Sequence, residues 1–477
     1  IMVVQHNMQA ANANRMLNVT TGQQAKSTEK LSSGYRINRA ADDAAGLSIS
    51  EKMRKQIRGL DKASSNAEDG VSSVQTAEGA LTEVHSMLQR MNELATQSAN
   101  GTNSTTDRSA IQDEISQLTT EIDRVAETTK FNETYLLKGG DGTKLEYMKG
   151  HDAGLKGTLT DGTTTATFKV AAGALDEGKS VTIGGKDYTI GSAVADVQDA
   201  VDKLTAADDK VTVNDKTYTY VAANSNAPGG QTVTTAGWVL DGDKTSTTGT
   251  KLTIANGDKV TTTPKTGASA SYTAAEMDNG VSKADPSIIS AEKAVSLMKD
   301  ELIAANKVGV TNGTVEITGN PAYDKDNGVT FNINKGSAEV ANKLSFSLHV
   351  GSDADMTNKI TVGIETMNSS YLGIKGLNVN DDSGIAGTYA IDAISDALQK
   401  VSDQRSSLGA VQNRLEHTID NLDNVVENTT SAESRIRDTD MAKEMVNYSK
   451  NNILAQAGQS MLAQANQSNQ GVLSLLQ

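Results

Sequence analysis

Two long apolar stripes with the same helical period lie near opposite ends of the chain. One runs from Leu60 to Ala95 and the other from Ile391 to Val426. In each stripe a member recurs every three or four positions, and the mean step of about 3.5 residues is the coiled-coil period. At about 1.5 Å per residue, each stripe predicts a helix roughly 50 Å long. The chain must reverse its direction between the two stripes for them to pack against each other.

Composition favours narrow helical seams over a bulky enzyme core. Aromatic residues are 3% of the chain, and Cys is absent. The five His are scattered, with no pair at metal-ligand spacing, and no phosphate-binding loop motif occurs. We therefore expect no enzyme activity, no cofactor and no metal. The net charge of −15 argues against a nucleic-acid partner.

Two features of the sequence bear on where the chain is located. No run of 18 apolar residues occurs, so we expect no membrane insertion. The first 30 residues lack a basic stretch followed by an apolar core, so we expect no secretory signal. The chain is then cytoplasmic or exported by another route.

Helix-breaking residues divide the chain into helical ends and a strand-rich centre. All four Pro lie between residues 228 and 321, and most Gly lie between 139 and 381. The fold class is mixed: a long antiparallel coiled-coil bundle formed by both chain ends, with a central hairpin-rich α+β insert. The boundaries predicted are terminal helices at 1–43 with 441–477, a three-helix bundle with a β-hairpin at 44–150 with 343–440, and an α+β module at 151–342.

Local patterns predict the elements of the centre. Alternating residues at 181–190 and 211–220 predict two similar hairpins, and 252–260 predicts a weaker third. Apolar spacing predicts short helices at 194–204 and 290–307, and a further hairpin at 344–350 with 359–364.

The two chain termini lack charge. Residues 451–477 contain no Asp, Glu, Lys or Arg, and neither do the first 14 residues. A solvated helix normally carries charge on its outer face, so uncharged amphipathic ends indicate burial between subunits. The alternative is a pair of poorly ordered tails. The apolar positions predicted to make assembly contacts are Val4, Met8, Ala11, Ile453, Ala457, Met461, Ala465, Val472 and Leu476.

Charged residues cluster where each terminal helix meets the bundle. Ion pairs at such a joint are far commoner than a catalytic pair, so we predict a polar network between the two returning ends. Its members are Arg36, Arg39, Asp42, Asp43, Arg435, Arg437 and Asp438.

Six segments of the two ends resemble bacterial flagellin closely. They are Lys30–Asn38, Asp42–Gly46, Leu88–Asn100, Arg405–Arg414, Ser431–Asp438 and Ala463–Leu476. The resemblance covers roughly 1–140 and 345–477, and it leaves the centre unmatched. It implies a structural subunit that polymerises helically into the flagellar filament used for swimming. The terminal helices would line its inner core, and residues 151–342 would form its variable surface.

The resemblance also implies partners and a location. They are other copies of the chain, a flagellar export chaperone, and the cap and junction proteins. The protein would be extracellular, in the filament, and exported through the flagellar type III apparatus without a cleaved signal peptide. A flagellin-sensing Toll-like receptor would bind the bundle surface. The matching receptor positions are Gln89, Arg90, Leu94 and Glu114.

Two alternatives stay open. A hook–filament junction protein shares the terminal pattern, although the dense match in Leu88–Asn100 and Ala463–Leu476 favours flagellin. The other is a secreted enzyme or adhesin whose activity lies in the central module. No catalytic constellation supports an enzyme, while carbohydrate or host-surface binding by residues 150–340 stays open.

Overall fold

The computed structural model describes residues 7–381 and 383–474, with side chains described up to residue 468. Within these ranges the chain forms eight α-helices and one short 3-10 turn at Met356–Asn358. The helices are α1 Met8–Ser33, α2 Ala44–Ala99, α3 Thr105–Thr128, α4 Val194–Asp202, α5 Ala291–Asn306, α6 Ser369–Leu372, α7 Ile385–Arg437 and α8 Met441–Ser474.

The strands lie almost entirely between α3 and α7. In chain order they are β1 Lys130–Phe131, β2 Thr134–Tyr135, β3 Gly140–Tyr147, β4 Thr158–Asp161, β5 Thr165–Val170, β6 Ser180–Ile183, β7 Lys186–Ile190, β8 Ser192–Ala193, β9 Lys210–Val213, β10 Lys216–Val221, β11 Ser225–Asn226, β12 Thr232–Val233, β13 Gly237–Leu240, β14 Lys259–Thr263, β15 Ala270–Ala275, β16 Met277–Asp278, β17 Val281–Ser282, β18 Ile288–Ile289, β19 Glu316–Thr318, β20 Val329–Asn334, β21 Ser337–Asn342, β22 Leu344–His349 and β23 Lys359–Ile364.

The chain folds into two compact units. The first comprises the described residues within 1–75, 346–362 and 409–477, and the second those within 76–345 and 363–408. This grouping differs from the three-part division predicted from the sequence. That division concerns positions within an assembly, and it stays a prediction.

In the first unit, α1 pairs with α8, and small apolar clusters join α2 to α7. Leu60 and Ala63 pack with Leu422, while Ala67 and Leu415 pack with the β22–β23 hairpin. Gly70 lets the hairpin approach closely. A Cβ at this position would lie 2.2 Å from the Leu348 Cδ1 atom.

The second unit contains a core built around paired strands. Phe168 of β5 and Phe331 of β20 pair at 6.2 Å between ring centroids, and α5 covers them with Met298 and Leu302. The three larger sheets have the strand orders β19-β20-β5-β4, β16-β17-β18-β7-β6 and β13-β10-β9-β14-β15-β8.

The two stronger hairpins predicted in the centre are confirmed. β6 pairs with β7 and β9 with β10, each antiparallel across a two-residue turn. Gly184 and Gly185 in one turn, and Asn214 and Asp215 in the other, all have positive φ. This is the conformation that Gly, Asn and Asp adopt most readily in tight hairpins. The predicted helices correspond to α4 and α5, and the later hairpin to β22–β23.

The predicted third hairpin at 252–260 is wrong. β14 begins at Lys259 and pairs with β9 and β15, while residues 251–258 form no strand. The side-chain amide of Gln198 takes the place of a partner strand here. Its Nε2 donates to the Leu252 carbonyl and its Oε1 accepts from the Ile254 N–H, both at 2.9 Å. This fixes the segment over α4 with Ile254 buried.

The expected fold class is confirmed at the level of helix-rich ends and a strand-rich centre. Among the residues described, no helix is both long and apolar enough to span a membrane.

The two hydrogen bonds made by the Gln198 side chain can be tested by mutation. Replacing Gln198→Ala leaves one backbone donor and one acceptor without partners. We expect the central module to lose about 1–2 kcal/mol of stability. Hydrogen exchange at the Ile254 amide in the full chain measures this. Asp199→Ala, at the next and exposed position of α4, is the control and should change stability by less than about 0.5 kcal/mol. Equal protection in wild type and Gln198→Ala would contradict the bridging role.

Candidate functional site: the paired terminal helices

The terminal helices α1 and α8 pair along a seam that repeats every seven residues. On each helix the buried or partly buried positions recur at alternating steps of three and four, while most residues between them are exposed. This spacing is the signature of two helices wound together. The seam positions are Ala10, Ala13, Leu17, Thr20, Gln24, Ser27 and Leu31 on α1, and Glu444, Tyr448, Asn451, Ala455, Gly458, Leu462 and Ala465 on α8.

Small and polar side chains dominate this seam. Gly458 lies beside Leu17, where a Cβ would come within 3.4 Å of the Leu17 Cδ1 atom. Asn7 accepts a hydrogen bond from the Ala10 N–H at 3.0 Å and donates one to the Ala465 carbonyl at 3.1 Å. It therefore caps α1 and ties it to α8. Because hydrophobic stabilisation scales with apolar area, such a seam contributes little of it.

Large apolar side chains of the same two helices point outward. Their exposed fractions range from 47% to 68%. A normal surface helix has the opposite arrangement, with large apolar residues inside. The exposed residues are Met8, Met16, Val19, Met441, Met445, Val446, Ile453, Leu454 and Met461.

Between the helices lies a shallow groove without charged residues. Met16 and Met461 form its apolar part, and amide side chains surround it. The amide-bearing and hydroxyl residues of the groove are Gln9, Asn12, Gln464 and Ser468.

Most of the predicted assembly residues that are described lie on this exposed surface. Ala465 is the exception, since it lies in the seam. Val4 and Leu476 lie outside the described residues, as does the side chain of Val472. Their predicted contacts with other subunits stay predictions. The exposed members are Met8, Ala11, Ile453, Ala457 and Met461.

Main-chain hydrogen bonds join the two chain ends where α1 and α7 stop. Tyr35 and Asp438 form an antiparallel β-bridge. The Arg36 N–H donates to the Arg437 carbonyl at 2.7 Å, and the Thr439 N–H donates to the Gly34 carbonyl at 3.0 Å. Gly34 ends α1 with a φ of 77°, which turns the chain toward this bridge.

Side chains around Tyr35 complete the joint. The Arg437 guanidinium carbon lies 4.7 Å from the Tyr35 ring centroid, and that of Arg54 lies 5.9 Å from it. Beneath them, Glu433 accepts a 2.7 Å hydrogen bond from Ser50 Oγ, and the Arg54 Nε atom lies 3.6 Å from its carboxylate. Sequence reasoning missed Tyr35, Ser50, Arg54 and Glu433, because their meeting depends on how α2 and α7 align.

The charged residues predicted for this joint mostly bond locally. Asp42 accepts from the Asn38 and Arg39 N–H groups, and these bonds, that from Arg39 first, lower the pKa of its carboxyl. Asp43 accepts from the Gly46 N–H at 2.8 Å near the start of α2.

Arg39 pairs with Glu29 at 2.9 Å, on its own side of the joint. Asp438 accepts from Ser434 Oγ at 2.6 Å. Arg435 lies in the last turn of α7, where a cation favours the helix terminus. The Arg36 guanidinium crosses the joint and donates a hydrogen bond to the Ile436 carbonyl. In the described structure, Arg36 and Arg437 thus bridge the ends, and no ion pair between the two ends involves these seven residues.

The structure brings together three of the four predicted receptor residues on an exposed surface of the second unit. Arg90 Nε lies 2.9 Å from Glu114 and its Nη1 lies 3.1 Å from Glu93. Hydrogen bonding to Glu114, and then to Glu93, raises the pKa of Arg90. Gln89 is exposed beside them, whereas Leu94 is buried at 2% exposure.

These features define a class of protein: a structural subunit whose two chain ends combine into one helical pair. Residues 4–141 match the family model of the bacterial flagellin N-terminal helical region, and residues 391–476 match that of the C-terminal helical region. The chain belongs to the bacterial flagellin family, and its relatives support a subunit of the flagellar filament, which is extracellular.

Relatives match along the whole chain. A flagellin of Clostridium tyrobutyricum is 41% identical over 472 residues, covering 98% of this chain and 100% of the relative. A flagellin of Bacillus subtilis strain 168 is 34% identical over 478 residues and covers 100% of both chains. Flagellin B of Vibrio anguillarum is 34% identical and covers 99% of both chains. Among solved structures, FliC from Burkholderia pseudomallei is similar at 20% identity and a TM-score of 0.28, covering 72% of this chain and 99% of that one.

The contribution of the Tyr35 ring to the joint can be tested by mutation. Tyr35→Ala removes the aromatic face beneath Arg437 and Arg54, and we expect a loss of about 1–2 kcal/mol in the stability of the α1–α8 pair. Hydrogen exchange of amides in α1 of the full chain is the measurement. Tyr35→Phe keeps the ring and should stay within about 0.5 kcal/mol of wild type, because the hydroxyl bond to Arg54 is a long 3.4 Å. Similar losses in both variants would show that the ring contacts are unimportant.

Proposed function

We propose that the protein polymerises helically with copies of itself into the filament used for swimming, and that neighbouring subunits bury the exposed apolar surface of α1 and α8. The observation that carries this proposal is the inverted pattern of the pair. Small and polar residues dominate its seam, and nine described large apolar side chains face outward. Contiguous apolar surface on a soluble chain marks an interaction site.

The energetics favour assembly through this surface. Full burial of one Met, Leu, Ile or Val side chain contributes about 1.5–3 kcal/mol. Several such side chains per subunit supply enough free energy to offset the entropy lost on association. The exposed residues of α1 and those of α8 form unlike faces. Contacts between unlike faces build an open helical polymer rather than a closed dimer.

The lack of charge also supports a second copy of this chain as the partner that covers the surface. Burying an unpaired charge would oppose association, and the outer faces of residues 451–468 carry amide and hydroxyl groups instead. Such groups can hydrogen-bond to the same groups of a neighbouring copy. A second copy of this chain therefore complements the surface in both its apolar and its polar parts.

We further propose that the two stripes pack as an antiparallel coiled-coil bundle outside the terminal helices. Burial of stripe members supports this in each unit: Ala63 and Leu415 in the first, and Leu88 and Val401 in the second. In this arrangement residues 1–43 with 441–477 form the inner filament core. Residues 44–150 with 343–440 form the bundle around it, and 151–342 form the variable outer module.

Export and partners follow from the family as proposals. The chain would pass unfolded through the flagellar type III apparatus without a cleaved signal peptide. An export chaperone, the cap and the junction proteins would bind it along the way. The role is structural and non-enzymatic. The junction-protein alternative is less well supported, because the relatives at 34–41% identity are named flagellins.

The exposed patch of Gln89, Arg90 and Glu114 is proposed to bind the flagellin-sensing Toll-like receptor. The two ion pairs of Arg90 hold its guanidinium in a defined position on the surface. Leu94 would act from beneath, through packing that positions α2. An Arg in a fixed position is a frequent source of binding energy in protein interfaces.

The assembly proposal is tested by placing charge on the exposed surface. Ile453→Lys introduces a cation where neighbours are proposed to pack, so we expect a folded monomer that forms no filaments. Sedimentation and electron microscopy under polymerising conditions provide the measurement. Leu240→Lys makes the same change at an exposed residue of β13 and should leave assembly intact. Normal filaments from Ile453→Lys would rule out this surface.

The receptor proposal is tested by reversing a charge. Arg90→Glu should raise the concentration of monomer needed for half-maximal receptor signalling by roughly tenfold or more. A reporter cell line carrying the receptor provides the readout. Arg124→Glu is the matched control, since Arg124 is also exposed and also pairs with a Glu three residues away, on α3. Equal potency of both variants and wild type would contradict the proposal.

A further inference from the structure

Methionine is concentrated on the exposed surface of the terminal helices. Every described Met of α1 and α8 is exposed, with fractions between 48% and 67%. Elsewhere in the described chain, Met91, Met148, Met298 and Met367 are buried, and Met356 is the one Met with comparable exposure, at 73%. The five exposed residues, here called the methionine surface, are Met8, Met16, Met441, Met445 and Met461.

The composition of the chain directs oxidants to these thioethers. Cys is absent from the whole sequence, so no thiolate competes for a hydroperoxide. Methionine is the other side chain whose sulfur is oxidised, and its sulfoxide can be reduced again. Buried Met side chains react less readily because the oxidant must reach the sulfur.

We propose that the methionine surface is a reversible oxidation site that controls assembly, an inference that rests on the proposed burial of this surface between subunits. A hydroperoxide transfers one oxygen atom to the Met sulfur as its O–O bond breaks. The sulfur loses two electrons and becomes a sulfoxide, and hydrogen peroxide leaves as water. A thiol-dependent sulfoxide reductase reverses the step, since two thiols become a disulfide and the oxygen leaves as water.

The sulfoxide opposes assembly because it is polar. Its S–O group accepts hydrogen bonds strongly, and burying it against apolar neighbours leaves that acceptor without a partner. The seam between α1 and α8 contains no Met among the described residues, so oxidation does not alter a seam side chain. The free subunit is thus the sensitive form, and assembled filaments protect the same residues.

The experiment treats the full-length monomer with hydrogen peroxide and then removes the oxidant. Peptide mass spectrometry measures sulfoxide at each Met, and seeded polymerisation followed by sedimentation measures assembly. We expect sulfoxide first on the methionine surface and on Met356. The critical concentration for assembly should rise roughly tenfold or more, the effect of burying one unpaired polar group. Sulfoxide reductases with dithiothreitol should restore assembly.

Two reciprocal variants locate the effect. Replacing all five residues (M8L, M16L, M441L, M445L, M461L) keeps their size but removes the sulfur, so assembly should survive peroxide. Met356→Leu should stay as sensitive as wild type. If the combined variant fails to assemble before treatment, the five single variants replace it. Each single variant should keep part of its assembly after peroxide.

Three outcomes would overturn the inference. Normal assembly of fully oxidised wild type would do so while leaving the proposed function intact. Protection by Met356→Leu would assign the sensitive site to the hairpin. Failure of untreated wild type to polymerise would count against the proposed function itself, and the oxidation effect would fall with it.

Discussion

The seam between α1 and α8 is the constraint on which the functional surface depends. Its heptad positions carry mostly Ala, Gly, Ser, Thr and amide side chains, with Leu at three of them and Glu444 and Tyr448 at two more. Such a seam sets which face of each helix points inward while burying little apolar area. As a result nine described Met, Ile, Leu and Val side chains of the two helices are left exposed. A seam of Leu and Ile would have stabilised the isolated pair further.

The second unit follows a different principle. One of its cores is built mainly from strands and α5, with Phe168 and Phe331 among the buried residues. Polar side chains there connect segments that are not paired as strands, as Gln198 does for residues 252–254. Stability in this part comes from aromatic and aliphatic burial.

Much of the fold could be predicted from the sequence because its signals are local. Heptad stripes predicted the long helices, and alternating residues predicted two hairpins, whose tight turns are formed by Gly184–Gly185 and Asn214–Asp215. The 252–260 hairpin failed because a side-chain amide from α4 replaced a partner strand. The seam of the terminal helices was hidden, since an apolar pattern does not reveal Thr20, Gln24 or Ser27 as inward positions. At the joint, the bonds between the two ends run mainly through the main chain and Tyr35, which charge patterns along the sequence do not reveal.

The main-chain bridge at Tyr35 and Asp438 has a mechanical consequence. The outgoing chain interrupts its helix after Ser33, and the returning chain does so after Arg437, so both breaks are held side by side by backbone hydrogen bonds. Helical hydrogen bonds resist bending, and neither pass of the chain has an unbroken ladder of them at this level. The first unit therefore has a defined position at which its helices bend more easily. Elastic deformation of a polymer can concentrate there, because few hydrogen bonds need to break for the helices on either side to change direction.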